Sequence, residues 1–397
     1  MTIAQLRLNK NQDRRLRLGH CWVYSNEVDT KATPLKDLQP GQAVEIINHQ
    51  DKWLGSGYVN PNSLICARLV SRDREHPLSQ SLLVHRLNLA LALRERLYAK
   101  PYYRLVFGED GLPGLVVDRY ADQVVLQITT AGMEVMKAEV VAAIQKVLRP
   151  SGILIRNDSS IRELEGLDQY IELAAGKMPE LLSLEESGLR FQVQAQEGQK
   201  TGWFFDQAEN RARMAKYIQG GRVLDVCSYV GAWGVQAAAR GAKEVICVDS
   251  SASALEMVEN NAALNGLSDK VSTLRANAFD SLRDLRSAGG HFDLIILDPP
   301  AFIKRRKDMK EGTMAYMRLN QAALQLLSKD GILITSSCSH HMSQEGLLQL
   351  VQQAGRHTDR SLQLLEQGQQ GMDHPIHPAI PETAYLKSLY LRVLPTF

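Results

Sequence analysis

With 397 residues, the chain is longer than one hydrophobic core organises, and two to three domains are expected. Its apolar share of 44% and charged share of 23% are globular values that exclude a disordered chain, and no apolar run approaches the roughly 18 residues of a spanning helix. A net charge of +2 excludes a polycation, so any nucleic-acid footprint has to be local.

The opening stretch MTIAQLRLNKNQDRRLRLGH is basic but has no apolar segment of the secretory type. Five scattered cysteines, Cys21, Cys66, Cys227, Cys247 and Cys338, show no CxxC spacing and no even framework. Free thiols, no metal site, no membrane attachment and a cytoplasmic location are therefore expected. Positive charge gathers in two places: Arg7, Lys10, Arg14, Arg15 and Arg17, then Lys304, Arg305, Arg306, Lys307 and Lys310. Each cluster reads either as a solvated face or as a phosphate-binding patch.

In chain order, residues 1–72 hold short strand-like runs, QLRL, WVYS, AVEIINH, KWLGSGYV and ICARLVS, with a hairpin around Asn48 to Lys52. They predict a small β-barrel. Leucines at steps of three and four over residues 78–99, with Arg86, Arg94 and Arg96 between them, predict an amphipathic helix. GEDGLPGLVVDRY, VVLQIT, a helix near residues 133–148 and GILIRN then describe a central α+β domain over 73–185. The stretch 174–188, with Pro179 and Gly188, reads as a linker. Beyond it, over 186–397, apolar strands alternate with helices: RVLDVC, VQAAARG, EVICVDSS, ALEMVENNAALNG, FDLIILDPP and GILITSSC. Strands apolar on both faces predict a parallel, doubly wound α/β sheet.

Ligands of such a sheet bind beyond the carboxyl ends of its strands. The first strand ends at Asp225, and the turn SYVGAWG lacks the GxGxxG fingerprint of a pyrophosphate cradle. This disfavours a dinucleotide and suits S-adenosyl-L-methionine, which carries no phosphate. Asp249, at the end of the second strand, is placed to accept from ribose hydroxyls or to cap the helix that follows. Asn277, at the end of the third, is either an acceptor for the adenine amino group or a turn residue.

The fourth strand ends in Asp298-Pro299-Pro300, where two prolines fix an extended turn able to present a carboxylate to a flat base. The fifth carries Cys338 to the same edge. Carbon 5 of a pyrimidine is a poor nucleophile, and a thiolate added to carbon 6 turns the base into an enamine-like one. Cys338 as nucleophile and Asp298 as the acid at the base edge would perform that chemistry.

These residues resemble the bacterial ribosomal RNA large subunit methyltransferase I family over nearly the whole chain. The most specific segments are RLRLGHCWVYSNEV (15–28), EDGLPGLVVDRY (109–120), QKTGWFFDQAENR (199–211), LDVCSYVGAW (224–233), LDPPAF (297–302), SSCS (336–339) and DHPIHPAIPETAYLK (373–387). The resemblance implies a PUA-like RNA-binding domain, a central α+β domain and a C-terminal Rossmann-like class I methyltransferase domain. It implies cytosine-C5 methylation of 23S ribosomal RNA with Cys338 as nucleophile and Asp298 as motif acid. Asp225, Ser228, Gly231, Asp249 and Asn277 would line the S-adenosyl-L-methionine pocket, and Phe205, Asp206 and Gln207 would close over it. Arg14, Arg15, Arg17, Lys304, Arg305, Arg306 and Lys307 would meet RNA, and a homodimer is compatible with the pattern. Ala208, Ala301 and Asn277 depart from it, standing where the family often has arginine, lysine and aspartate.

Two other readings stay open. A base N-methyltransferase would use the DPPAF turn to accept from an exocyclic amine and needs no thiol. A non-catalytic RNA-binding protein would keep the fold without the cofactor.

Overall fold

Alternating apolar residues at the start of the chain form a five-stranded sheet from β1 (Ala4–Arg7), β2 (Trp22–Val23), β3 (Ala43–Ile47), β4 (Trp53–Val59) and β5 (Ala67–Ser71), in the order β1-β3-β4-β5-β2. This computed structural model describes residues 3–396. The expected hairpin joins β3 to β4, with Ile47 opposite Trp53. A bridge between Leu8 and Val28 links the chain just beyond β1 to the chain just beyond β2, around a core that includes Leu6, Leu16, Val23, Val44 and Ile46. The short helix α1 (Arg14–Arg17) holds the first arginine cluster.

The predicted amphipathic helix is α2 (Gln80–Leu97), capped by Ser79, whose Oγ accepts from the Leu82 N–H at 3.3 Å. It packs with α3 (Ala131–Val135) and α4 (Lys137–Leu148) near a second sheet ordered β10-β9-β8-β7-β6. Those strands are β6 (Tyr102–Val106), β7 (Leu115–Tyr120), β8 (Gln123–Ile128), β9 (Gly152–Asn157) and β10 (Tyr170–Gly176). Arg94 does not face solvent as its neighbours on the helix suggest. It is buried and forms two bonds to the Asp110 carboxylate, at 2.7 and 2.8 Å. This pairing explains the acid in EDGLPG. In the same motif Gly114 has φ +84°, and a Cβ there would lie 2.1 Å from Thr130 Oγ1.

No linker occupies 174–188. Tyr170–Gly176 pairs with β9, and β11 (Leu181–Glu186) forms a hairpin with β12 (Leu189–Gln194). A register shift between Leu173 and Ala175 breaks the period of two, while the buried Leu182, Leu184, Phe191 and Val193 show the alternation that Pro179 and Gly188 obscured. The chain divides into two compact units, the first taking in the chain up to Leu182 with Gln194–Trp203 and Met372–Pro381. Both N-terminal sheets therefore belong to one unit, and Tyr58 on β4 ties them by donating to the Pro113 carbonyl at 2.7 Å.

The second unit, built from Ser183–Val193, Phe204–Gly371 and the chain from Glu382 onward, is the expected doubly wound α/β sheet. Its strands are β13 (Arg222–Val226), β14 (Glu244–Asp249), β15 (Val271–Arg275), β16 (Phe292–Leu297), β17 (Leu327–Ser337), β18 (Arg360–Gln369) and β19 (Lys387–Pro395). They run in the order β15-β14-β13-β16-β17-β19-β18, the first five parallel and β19 antiparallel to both neighbours. Its helices are α5 (Ala208–Met214), α6 (Ala232–Ala239), α7 (Ala252–Leu264), α8 (Ala278–Ser287), α9 (Met309–Leu326) and α10 (Gln344–His357). Leu294, Ile295, Ile296 and Leu297 on β16 are all buried, which requires cover on both faces. Strand order reverses between β13 and β16, so a crevice opens beyond their carboxyl ends.

Candidate active site

The turn from β13 into α6 forces the backbone into the left-handed region three times, at Cys227 (φ 65°), Tyr229 (φ 49°) and Gly231 (φ 82°). Only the last is a glycine, and a Cβ there would come within 3.0 Å of Val258. This alternation folds the chain tightly over the end of β13. Asp225 is fully buried there, its Oδ2 accepting from the Gly234 N–H at 2.9 Å while Oδ1 has no hydrogen-bond partner. Burial pushes this carboxyl up to about 8, and the charges of Asp298 and Asp249 act in the same direction. Ser228 Oγ, also buried, is without a partner too. Two orphaned polar atoms beside a strained turn are what a polar ligand at this position would satisfy.

Asp249 ends β14 and accepts from the Tyr229 N–H at 3.0 Å and the Ser251 N–H at 2.9 Å, one to each oxygen. It does not cap α7; Ser251 does, accepting from Ala254 N–H at 3.2 Å. The carboxylate is thus pinned between two turns with lone pairs left over. Asn277 behaves otherwise. Its amide oxygen caps α8 by accepting from the Asp280 N–H at 2.9 Å, and its amide nitrogen donates to the Asp280 carboxylate. That is the turn role.

Phe205, Asp206 and Gln207 form a single 3-10 turn, all three buried. Gln207 Nε2 donates to Asp298 Oδ1 at 2.9 Å, and its Oε1 accepts from Asn210 at 2.7 Å, which fixes the amide. Asp206 accepts from the Tyr385 hydroxyl at 2.6 Å. Arg211, only 2% exposed, binds Glu186 through two bonds of 2.5 and 2.7 Å and donates to the Phe204 carbonyl at 2.9 Å. It is the buried cation among these carboxylates, and the charges of Glu186, Asp206 and Asp298 hold it protonated against its burial.

Asp298 is half-buried at the end of β16. Trp233 Nε1 donates to its Oδ2 at 3.0 Å. Burial raises this carboxyl above the usual range, Trp233 lowers it, Asp206 raises it, and Arg211 and Gln207 lower it. On the neighbouring parallel strand, Leu297 pairs with Thr335, so the end of β17 brings Cys338 to the same edge as Asp298. Cys338 is a half-buried thiol outside any disulfide. Its turn is tied to the loop after the prolines: Ile303 N–H donates to Ser339 Oγ at 3.2 Å, and the Tyr316 hydroxyl bonds to Ser339 Oγ and Ser337 Oγ at 2.9 Å each. Lys387, at the start of β19, donates to the Ser339 and Tyr385 carbonyls at 2.7 Å each.

The two basic clusters differ. Lys304, Arg305, Arg306 and Lys307 are exposed in the loop leading to α9 and Lys310 is exposed in its first turn; among the described residues Arg305 alone of them pairs with an acid, Asp308, at 3.3 Å. In the first unit Arg15 pairs with Glu27 and Arg17 with Asp13, both at 2.5 Å, and Arg15 also lies over the Tyr24 ring. Arg14 is exposed. Trp22 and Tyr24 are half-buried rather than core. Trp233, Arg211 and Lys387 are side chains around these groups that motif reading passed over, although all three lie inside segments it singled out. Among the described residues no helix is long and apolar enough to cross a membrane, and no cluster has the makings of a metal site.

Residues 6–72 match the PUA-like domain family and residues 162–392 match the S-adenosylmethionine-dependent methyltransferase family. The chain is 37% identical over 400 residues to the ribosomal RNA large subunit methyltransferase I of Erwinia tasmaniensis, covering 99% of this chain and 100% of that protein. Two solved structures share the fold at 22% identity and a TM-score of 0.83, each covering 98% of this chain and 100% of its own. One is described as a SAM-dependent methyltransferase from Streptococcus mutans, the other as a methyltransferase complexed with SAH. The orphaned atoms of Asp225 and Ser228 and the pinned Asp249 fit the cofactor that these matches require, and the chain belongs to the ribosomal RNA large subunit methyltransferase I family of S-adenosylmethionine-dependent enzymes.

Proposed function

We propose that the chain methylates carbon 5 of a cytosine in 23S ribosomal RNA through a covalent adduct of Cys338. The observation that carries this reading is a half-buried cysteine thiol, in no disulfide, at the end of β17, on the strand next to the one that ends in Asp298. S-adenosylmethionine supplies an electrophilic methyl group when bound. Asp249 would hold its ribose hydroxyls, Asp225, Ser228 and Gly231 would line the β13 turn against it, and Phe205, Asp206 and Gln207 would flank it.

The protein's own residues would act on the base. The Cys338 thiolate adds to carbon 6, and the electron pair of the 5,6 double bond moves to carbon 5. A protonated Asp298 donates to N3 as negative charge develops there, a role served by a carboxyl whose pKa burial has raised. Once carbon 5 is methylated, it loses its proton to a base, the double bond reforms, the sulfur leaves as thiolate, and N3 returns its proton to Asp298. A cytosine inside a helix cannot reach such a site, so it has to leave its stack. The exposed Lys304 to Lys307 loop follows the Asp298 turn and would supply phosphate contacts.

Nucleoside mass spectrometry of RNA treated with the enzyme tests the reading. The product should be 5-methylcytosine. N4-methylcytosine or N6-methyladenine would favour the second reading, in which the Asp-Pro-Pro turn accepts from an exocyclic amine and Cys338 is idle.

A further inference from the structure

Lys387 is only 5% exposed, yet the partners of its ammonium are two neutral carbonyls, those of Ser339 and Tyr385. Among the described residues no carboxylate lies within ion-pair distance of it. A buried cation satisfied only by carbonyl dipoles is expensive unless an anion stands near. Strand register brings Lys387 to the Cys338 turn. Lys387 pairs with Ser337 across β17 and β19, and its side chain reaches the carbonyl immediately beyond Cys338, so the ammonium is clamped onto the turn that carries the thiol.

We propose that Lys387 is a positioning residue that holds the Cys338 sulfur as a thiolate, an inference that rests on the reading of Cys338 as the nucleophile. The thiol releases its proton to solvent, the electron pair left on sulfur faces the ammonium, and Lys387 keeps its three hydrogens. Burial pushes Lys387 down to about 8, and the Cys338 charge acts in the opposite direction, as expected of a mutually stabilising pair.

The other titratable groups around this turn do not take that place. Tyr316, from α9, has its hydroxyl engaged by Ser337 and Ser339, and burial raises its pKa, so it stays neutral. Tyr385 donates its hydroxyl hydrogen bond to Asp206. His340 is exposed, with Nδ1 on the Glu382 carbonyl at 3.1 Å, and His341 is exposed on the same turn.

The test is the pH dependence of Cys338 alkylation by iodoacetamide in the full-length protein, read at the Cys338 peptide by mass spectrometry. The parent should alkylate with a midpoint below the value of about 8.5 for a free thiol. Lys387→Met should raise the midpoint by about one unit, slowing reaction at neutral pH roughly tenfold, and Lys387→Arg should restore part of the shift. Equal midpoints for parent and Lys387→Met overturn the proposal. So does an arginine variant no different from the methionine one. If Lys387→Met fails to fold, as judged by its melting, the parent midpoint decides, and a value at or above about 8.5 is contrary to the proposal. Alkylation does not depend on methyl transfer. A low midpoint in an enzyme that methylates nitrogen would leave the ion pair standing and remove only the proposed reaction.

Discussion

Trp233 donates its indole N–H to Asp298 Oδ2 at 3.0 Å, so the helix that follows the β13 turn also tunes the acidity of the carboxyl at the end of β16. The bond stabilises the carboxylate and opposes the upward push of burial. In Trp233→Phe that opposition is lost and the Asp298 pKa should rise. A hydrogen bond to a charged group is worth about 1.5 to 3 kcal/mol, or roughly one to two pH units. If the protonated acid is the active form, the alkaline limb of the methylation rate should move to higher pH. A limb that stays or moves down contradicts this role for Asp298.

Asp225 gives a stability prediction with a definite sign. Its pKa in the folded protein, about 8, lies above the value near 3.8 of an unperturbed aspartate. The native state therefore favours the protonated form. The contribution to stability is complete below the unfolded value and is lost as pH rises through the folded one. Thermal melting of the parent should fall more steeply between pH 5 and about 8 than that of Asp225→Asn. Parallel melting curves would show that burial of this acid is not linked to folding.

Cofactor affinity should depend on Asp249, whose carboxylate is fixed by the N–H groups of Tyr229 and Ser251 before any ligand arrives. Asp249→Ala should weaken S-adenosylmethionine binding by about 1.5 to 3 kcal/mol in calorimetry. Unchanged affinity would reduce Asp249 to a brace for the two turns. Asn277→Ala should cost helix stability of about 1 kcal/mol and little affinity, because its amide serves α8.

The sheet and the line of residues at its edge were legible in the sequence because parallel strands announce themselves as apolar runs ending in a polar residue. Asp225, Asp249, Asp298 and Cys338 each fall at or just beyond such an end. What β19 contributes was not legible. It joins β17 only through antiparallel pairing late in the chain, so nothing local to Lys387 reveals its place beside the Cys338 turn. At Arg15 and Arg17 the charge was legible but the partners were not: Glu27 pairs with Arg15, and Asp13, one helical turn earlier, pairs with Arg17.

This contrast makes the second cluster the better test of RNA affinity. Replacing exposed Arg305 and Arg306 by glutamine should flatten the dependence of RNA binding on salt, by about 1.4 in logarithmic slope if each meets one phosphate of a single strand. Arg15→Gln should instead lower stability through loss of the Glu27 pair. Equal salt slopes for the Arg305 and Arg306 variant and the parent would return that loop to a merely solvated face.

The covalent role of Cys338 is tested most directly by an RNA carrying 5-fluorocytosine at the target position. Fluorine cannot leave carbon 5 as a proton does, so after thiolate addition and methyl transfer the elimination step stalls. The parent enzyme should form a denaturant-resistant protein–RNA complex linked at Cys338, and Cys338→Ala should form none while binding S-adenosylmethionine normally. Wild-type turnover by the alanine variant, or a complex that forms without the thiol, would contradict the account.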